Sequence, residues 1–273
     1  MAQPAWRALA VLVAALIGAL LVVIILAPAS LLSPLARRAS DGRLALEDAS
    51  GTIWDGAADI VLRAGVAPGA AAASAAPDPS QAAARLPGRL QWHIGAWRLL
   101  TGVLDLRLND AALLEQPLAL RLDGSAAASI APDRLSLPAA ALQALGAPWN
   151  TIQPGGQLQL QWDTLHLQAG ALRGNWQLDW IDAASALSPI VPFGHYRLMA
   201  DGLYDGATLQ LQTLAGPLEM LGNGTIGNGR HLRFQGSARV QTGTDAAIAT
   251  QLSGLISLLG RREGDGALLD FGT

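Results

Sequence analysis

Five segments of this chain alternate apolar and polar residues with a period of two, a pattern few folds accommodate. Leu104, Leu106 and Leu108 alternate with Asp105 and Arg107, and Leu118, Leu120 and Leu122 with Ala119 and Arg121. Leu158, Leu160 and Trp162 interleave with Gln157, Gln159 and Gln161, and Trp176, Leu178 and Trp180 with Gln177 and Asp179. Leu209 and Leu211 alternate with Gln210 and Gln212. Successive side chains of a strand point to opposite faces, so each segment carries one apolar and one wetted face. Such segments build antiparallel sheet covered on one side. Turn chemistry agrees, with Asp-Gly at 41, 55, 123, 201, 205 and 265 and Asn-Gly at 223 and 228. These pairs tolerate the positive φ of two-residue hairpin turns. Twice the alternation slips phase, from Trp162 to Leu165 and Leu167 and from Leu211 to Leu214. A one-residue slip flips the faces unless something absorbs it, so a break or bulge is expected at Asp163-Thr164 and at Thr213.

The chain opens differently. Residues 8–27 hold no charged or hydrogen-bonding side chain. As a helix they would reach roughly 30 Å, the thickness of a bilayer's hydrocarbon core. Ala27-Pro28-Ala29 offers small residues for a signal-peptide cleavage, but the apolar run is longer than such peptides need. We read an uncleaved anchor over 8–29, a short cytoplasmic N-terminus over 1–7, a juxtamembrane linker over 30–42 and a β-rich domain over 43–273. Orientation is not settled by charge: Arg7 and the N-terminal amine oppose Arg37, Arg38 and Arg43, a count that by itself favours a cytoplasmic domain.

Composition removes several chemistries. The chain has no Cys, which excludes disulfides and thiolate metal sites. It also has no Lys, so a Walker-type phosphate loop, a Schiff base and a Ser-x-x-Lys nucleophile are all excluded. A net charge of −3 with no basic stripe argues against nucleic acid as a partner. Gly222-Asn223-Gly224-Thr225-Ile226-Gly227 spells a dinucleotide fingerprint, but strand-like residues follow where a phosphate-binding helix is required; these glycines read as hairpin turns. His93, His166, His195 and His231 lie far apart, and no nucleophile elbow exists. Neither an enzyme nor a cofactor is expected.

Two helices are expected beyond the anchor. One covers 138–145, with Pro138 at its first position. The other covers 246–259, where Ile248, Leu252, Leu255, Ile256 and Leu259 form a stripe, Thr244 or Asp245 caps the start and Gly260 supplies a left-handed stop. Its stripe is expected to close one end of the sheet's core. Residues 67–84, mostly Ala, Pro, Gly and Ser with almost no large apolar residue, read as a mobile loop. Eight Trp against three Phe and two Tyr make the indoles the main large rings, with core packing their default role. The fold expected is mostly β, a curved antiparallel sheet or partly open sandwich after one transmembrane helix.

Several motifs follow the anchor in order. Ser50-Gly51-Thr52-Ile53-Trp54-Asp55-Gly56 comes first, then Leu90-Gln91-Trp92. Leu172-Arg173-Gly174-Asn175-Trp176 runs into Trp180-Ile181-Asp182-Ala183. Pro192-Phe193-Gly194-His195-Tyr196, Ala215-Gly216-Pro217-Leu218-Glu219 and Leu252-Ser253-Gly254-Leu255 with Leu258-Leu259-Gly260 complete the series. Together they resemble the type II secretion system protein N family. That resemblance implies an inner-membrane component of the Gram-negative general secretion machinery, with its β domain in the periplasm. It implies other secretion subunits as partners and carries no catalytic residue. The candidate structural or interaction residues are Trp54, Trp92, Trp162, Trp176, Trp180, Gly194, Gly216 and Pro217. An alternative of a different class is a groove for lipid acyl chains, as in periplasmic lipid-transfer proteins anchored by one helix. A scaffold should seal its apolar strand faces, and a lipid handler should leave a trough open.

Overall fold

A computed structural model of the chain describes residues 22–23, 25–63, 83–123, 127–146, 149–168, 171–202, 206–227 and 231–272. Most of the 8–29 segment and the 67–84 loop therefore lie outside the described residues. Among those described, no helix is long and apolar enough to cross a membrane.

The alternating segments are strands, and they assemble into two nine-stranded sheets. The first contains β1 (Leu44–Gly51), β2 (Asp55–Arg63), β3 (Ala83–Arg85), β4 (Leu90–Ile94), β5 (Leu104–Asn109), β6 (Leu118–Leu122) and β7 (Ala128–Ile130). The chain then crosses to the second sheet with β8 (Asp133–Pro138) and β9 (Pro154–Trp162), and returns for β10 (Leu165–Gln168) and β11 (Ala171–Arg173). The rest of the second sheet is β12 (Asn175–Ser185), β13 (Gly194–Asp201), β14 (Ala207–Ala215), β15 (Leu218–Ile226), β16 (Leu232–Val240), β17 (Arg261–Glu263) and β18 (Gly266–Gly272). The first sheet runs β1-β2-β4-β5-β6-β7-β10-β11, with β3 on β2. The second runs β17-β18-β16-β15-β14-β13-β12-β9-β8. Every strand pair among the described residues is antiparallel, as the one-sided alternation requires.

The two sheets share a ribbon. Ile130 faces Leu165 in β7–β10, and Asp133 faces Trp162 in β8–β9. Three steps on one arm thus match three on the other, and the ladder keeps its register through a crease at Ala131 and Pro132 opposite Asp163 and Thr164. The break expected at Asp163-Thr164 is this crease. From Ile130 to Leu135 and from Leu165 to Leu160 are five steps each, an odd number, so the apolar residues change pleat side across it. The second break is a bulge: His195 pairs with Ala215 but Tyr196 with Thr213, leaving Leu214 over.

Each sheet is covered differently. Helix α1 (Leu32–Ala39) packs on the first, where Ala29, Ala58 and Trp92 are buried with Leu32, Leu46, Ile94, Leu106 and Leu108 around them. The stretch expected as a juxtamembrane linker is thus mostly helix laid on β1, with the Ser33 hydroxyl donating to the Leu46 carbonyl at 2.8 Å. Two single-turn helices, α2 (Ala96–Leu99) and α3 (Trp149–Ile152), sit in connections. Helix α4 (Ala246–Leu259) covers the second sheet and has the predicted limits. Its N-cap is Asp245, whose carboxylate accepts from the Ala247 N–H at 2.7 Å. Leu252, Leu255 and Ile256 meet Phe193, Tyr196, Leu218 and Ala267 in the largest core cluster.

Some local expectations fail for identifiable reasons. Gly260 is extended (φ −176), not left-handed, because the chain passes directly from α4 into β17. Pro138 ends β8 and precedes a 3-10 helix, Ala139–Leu145, instead of opening it. Asp55-Gly56 and Asn223-Gly224 are not turns. Both lie inside strands, where Gly56 makes room for the Trp92 ring and Gly222 and Gly224 for Phe234. Ala83 and Ala84, expected at the end of a loop, belong to β3. Trp97 and Trp149 leave the core altogether, with Trp97 82% exposed.

Candidate functional site

The eight residues singled out from the sequence do not converge; they fall into three places. On the first sheet Trp92 is buried, and its indole N–H donates to the Ile53 carbonyl at 3.2 Å. Trp54 is half-buried in the β1–β2 turn beside it, its carbonyl accepting from the Ile94 N–H at 2.7 Å.

At the crease, Trp162 and Trp176 are direct cross-strand partners. The Trp162 N–H donates across the crease to the Ala131 carbonyl at 2.8 Å, whereas the Trp176 Nε1 is buried with no hydrogen-bond partner. Gly174 (φ +139) lets the backbone turn where a Cβ would lie 2.6 Å from Leu165 Cδ2.

The third place is one end of the second sheet. Trp180 meets Phe193 edge-to-face at 5.6 Å, and its N–H donates to the Gly155 carbonyl at 2.8 Å. Gly194 and Gly216 touch backbone to backbone: a Cβ on Gly216 would lie 2.4 Å from Gly194 Cα. The neighbouring Pro217 carbonyl accepts from the Gln241 N–H at 2.8 Å. Tyr196 underlies this contact and donates to the Leu218 carbonyl at 2.9 Å, and its burial pushes the phenol well above the ordinary tyrosine range. All three places are packing nodes.

The polar and charged side chains sit instead on the wetted faces, which flank the crease as two clefts. One, about 410 Å³, is lined by Arg98, Asp105, Arg107, Arg121, Ser129 and Thr164. Arg98 pairs with Asp105 at 3.0 Å; among the described residues Arg107 and Arg121 have no ion-pair partner and are exposed. The other, about 390 Å³, is lined mainly by amides and carboxylates, Gln161, Asp163, Asn175, Gln177, Asp201 and Gln210. Guanidinium forks suit carboxylate or phosphate groups, and the amides offer donors and acceptors together. Neither cleft holds a nucleophile paired with a base, and no group of three potential metal ligands occurs among the described residues. The sequence reading missed Arg107 and Arg121. Their signal was the polar half of Leu-Asp-Leu-Arg-Leu and Leu-Arg-Leu, which was used only to infer strands.

The family model for the type II secretion system (T2SS), protein N, matches residues 42–269, from just before β1 to within β18, so that both sheets are included. The chain belongs to the type II secretion system protein N family. This makes it a component of a bacterial envelope machine. Comparisons with curated proteins and with solved structures each found no match.

Proposed function

We propose that this protein is a scaffold of the type II secretion apparatus, anchored in the inner membrane by residues 8–29. Its periplasmic β domain would hold other secretion subunits through the clefts flanking the crease. The observation that carries this reading is the pair of exposed guanidinium groups, Arg107 and Arg121, which have no ion-pair partner among the described residues and lie across the crease from a cleft of amides. The anchor is supported by the described end of the apolar run, one helical turn in which Val22, Val23, Ile25 and Leu26 are each more than half exposed. Membership of a secretion-system family of the bacterial envelope supports a periplasmic domain. The cations that weigh against it, Arg37 and Arg38, lie in the last turn of α1, which runs along β1 away from the anchor.

The lipid-handling alternative has one observation in its favour. Leu104, Leu118, Leu120 and Leu122 are half-buried and belong to none of the core clusters. In-cell photocrosslinking separates the two readings. Probes at Arg121 and Gln177 should capture secretion subunits, identified by mass spectrometry. Phospholipid adducts from probes at Leu106 and Leu120, with none to subunits from the polar positions, would replace the scaffold by the lipid handler.

A further inference from the structure

We infer that the β4–β5 turn, residues 95–103, is a second membrane contact, inserting Trp97 and Leu100 into the headgroup region of a phospholipid bilayer. Trp97 is 82% and Leu100 78% exposed, the largest exposures of any big apolar side chain described. Their position in the fold says what covers them. The apolar N-terminal segment joins the domain at Ala27, whose carbonyl accepts from the Ile53 N–H at 2.9 Å, and Pro28 bridges to Thr52. The next residue of that β1–β2 turn, Trp54, accepts from the Ile94 N–H at 2.7 Å, and Gly95 begins the β4–β5 turn. The point where the apolar segment leaves the domain and the exposed Trp97-Leu100 pair are thus neighbours at one end of the first sheet. A bilayer holding the first lies against the second.

The turn is built for such a setting. Its backbone polar groups pair among themselves: Arg98 N–H to the Gly95 carbonyl at 3.1 Å, Thr101 and Val103 N–H to the Arg98 carbonyl at 3.0 Å each, and Gly102 N–H to the Leu99 carbonyl at 3.0 Å. These pairings reduce the cost of moving the turn out of water. The only charge on the turn is Arg98, which is drawn back toward the domain by Asp105 at 3.0 Å. An indole ring beside an aliphatic side chain matches the interfacial belt, where one part of the ring is greasy and the N–H stays wet.

This inference rests on the anchor reading, and its test separates the two. The chain has no Cys, so one introduced cysteine carries one label. The full chain is reconstituted in nanodiscs of phosphatidylethanolamine and phosphatidylglycerol, with an environment-sensitive fluorophore at Ile25→Cys, Leu100→Cys or Val191→Cys. Doxyl-labelled lipid is the quencher. Loss of most emission at positions 25 and 100, but not at the exposed control 191, is the expected result. Quenching at 25 with none at 100 overturns the second contact and leaves the anchor standing. Quenching at neither overturns both, and equal quenching at 191 overturns the assignment to this turn.

Discussion

Each nine-stranded sheet has one apolar face, but among the described residues only the second has a long helix to cover it. Helix α4 has 14 residues and lays Leu252 and Leu255 onto a floor of Phe193, Tyr196, Leu218 and Ala267. Helix α1 has eight, and the cluster under it consists of two alanines and Trp92 with half-buried neighbours. Apolar area removed from water is the main favourable term in folding, at about 25 cal/mol per Å². The second sheet is therefore the rigid half and the first the softer one, and the first also carries the arginine cleft and the exposed turn. Of the contacts proposed above, the arginine cleft and the exposed turn lie on the half with less core and the amide cleft on the other; regions with less core are the ones free to adapt to partners.

The strongest challenge to that contrast is Leu252→Ala. Leu252 is fully buried, so the loss should be roughly 3–5 kcal/mol, from transfer and from the cavity left behind. Urea unfolding should show the second sheet's transition moving toward the first sheet's, with the first unchanged. If both transitions shift together, the sheets are one cooperative unit and the comparison breaks. Trp92→Ala is the mirror test. It removes the one large ring of the first sheet's cluster and should cost about 3 kcal/mol, the low end for Trp because its surroundings are half-buried. Here only the earlier transition should move.

Legibility from sequence followed the same divide between local and long-range information. Period-two alternation located β5, β6, β9, β12 and β14, and the cap at Asp245 and the stripe from Ile248 to Leu259 located α4, because both signals act over a few residues. The phase slips at Asp163-Thr164 and Thr213 also proved real. The meaning of the first slip was hidden: that it lies opposite Ala131 and Pro132 and creases a ribbon shared by two sheets depends on pairing between distant segments. Asn223-Gly224 misled for a related reason. A turn signal cannot reveal that Phe234 on the next strand needs those glycines empty. The site was less legible than the fold. Of the seven described tryptophans only Trp92 and Trp162 are buried, and nothing in the local sequence separates them from the exposed Trp97 that carries the membrane inference; the difference lies in their neighbours in space.

The crease itself can be sharpened by a smaller pair of changes. Trp162→Phe removes a hydrogen bond from the Trp162 N–H to the Ala131 carbonyl and should cost about 1 kcal/mol. Trp176→Phe removes a buried N–H that has no partner, so its cost should be close to zero beyond slight repacking. Equal losses in thermal unfolding would mean that ring volume alone holds the crease. A loss confined to Trp162→Phe would assign its register to that single bond.

The smallest effect expected is a pH dependence on the rigid half. Glu219 and Arg239 pair across β15 and β16 at 2.7 Å, and the Arg239 hydrogen bond holds the Glu219 carboxyl below the usual glutamate range. A carboxyl with a lower pKa in the folded state contributes stability above its unfolded pKa and loses it as pH falls through the folded one. Glu219→Gln should therefore be slightly less stable than the parent at pH 7, and the two should converge once pH drops well below the ordinary glutamate value. Arg239 is mostly exposed, so high salt should shrink the difference at pH 7 as well. If the difference instead grows on acidification, Glu219 acts in its protonated form and this account of the pair is wrong.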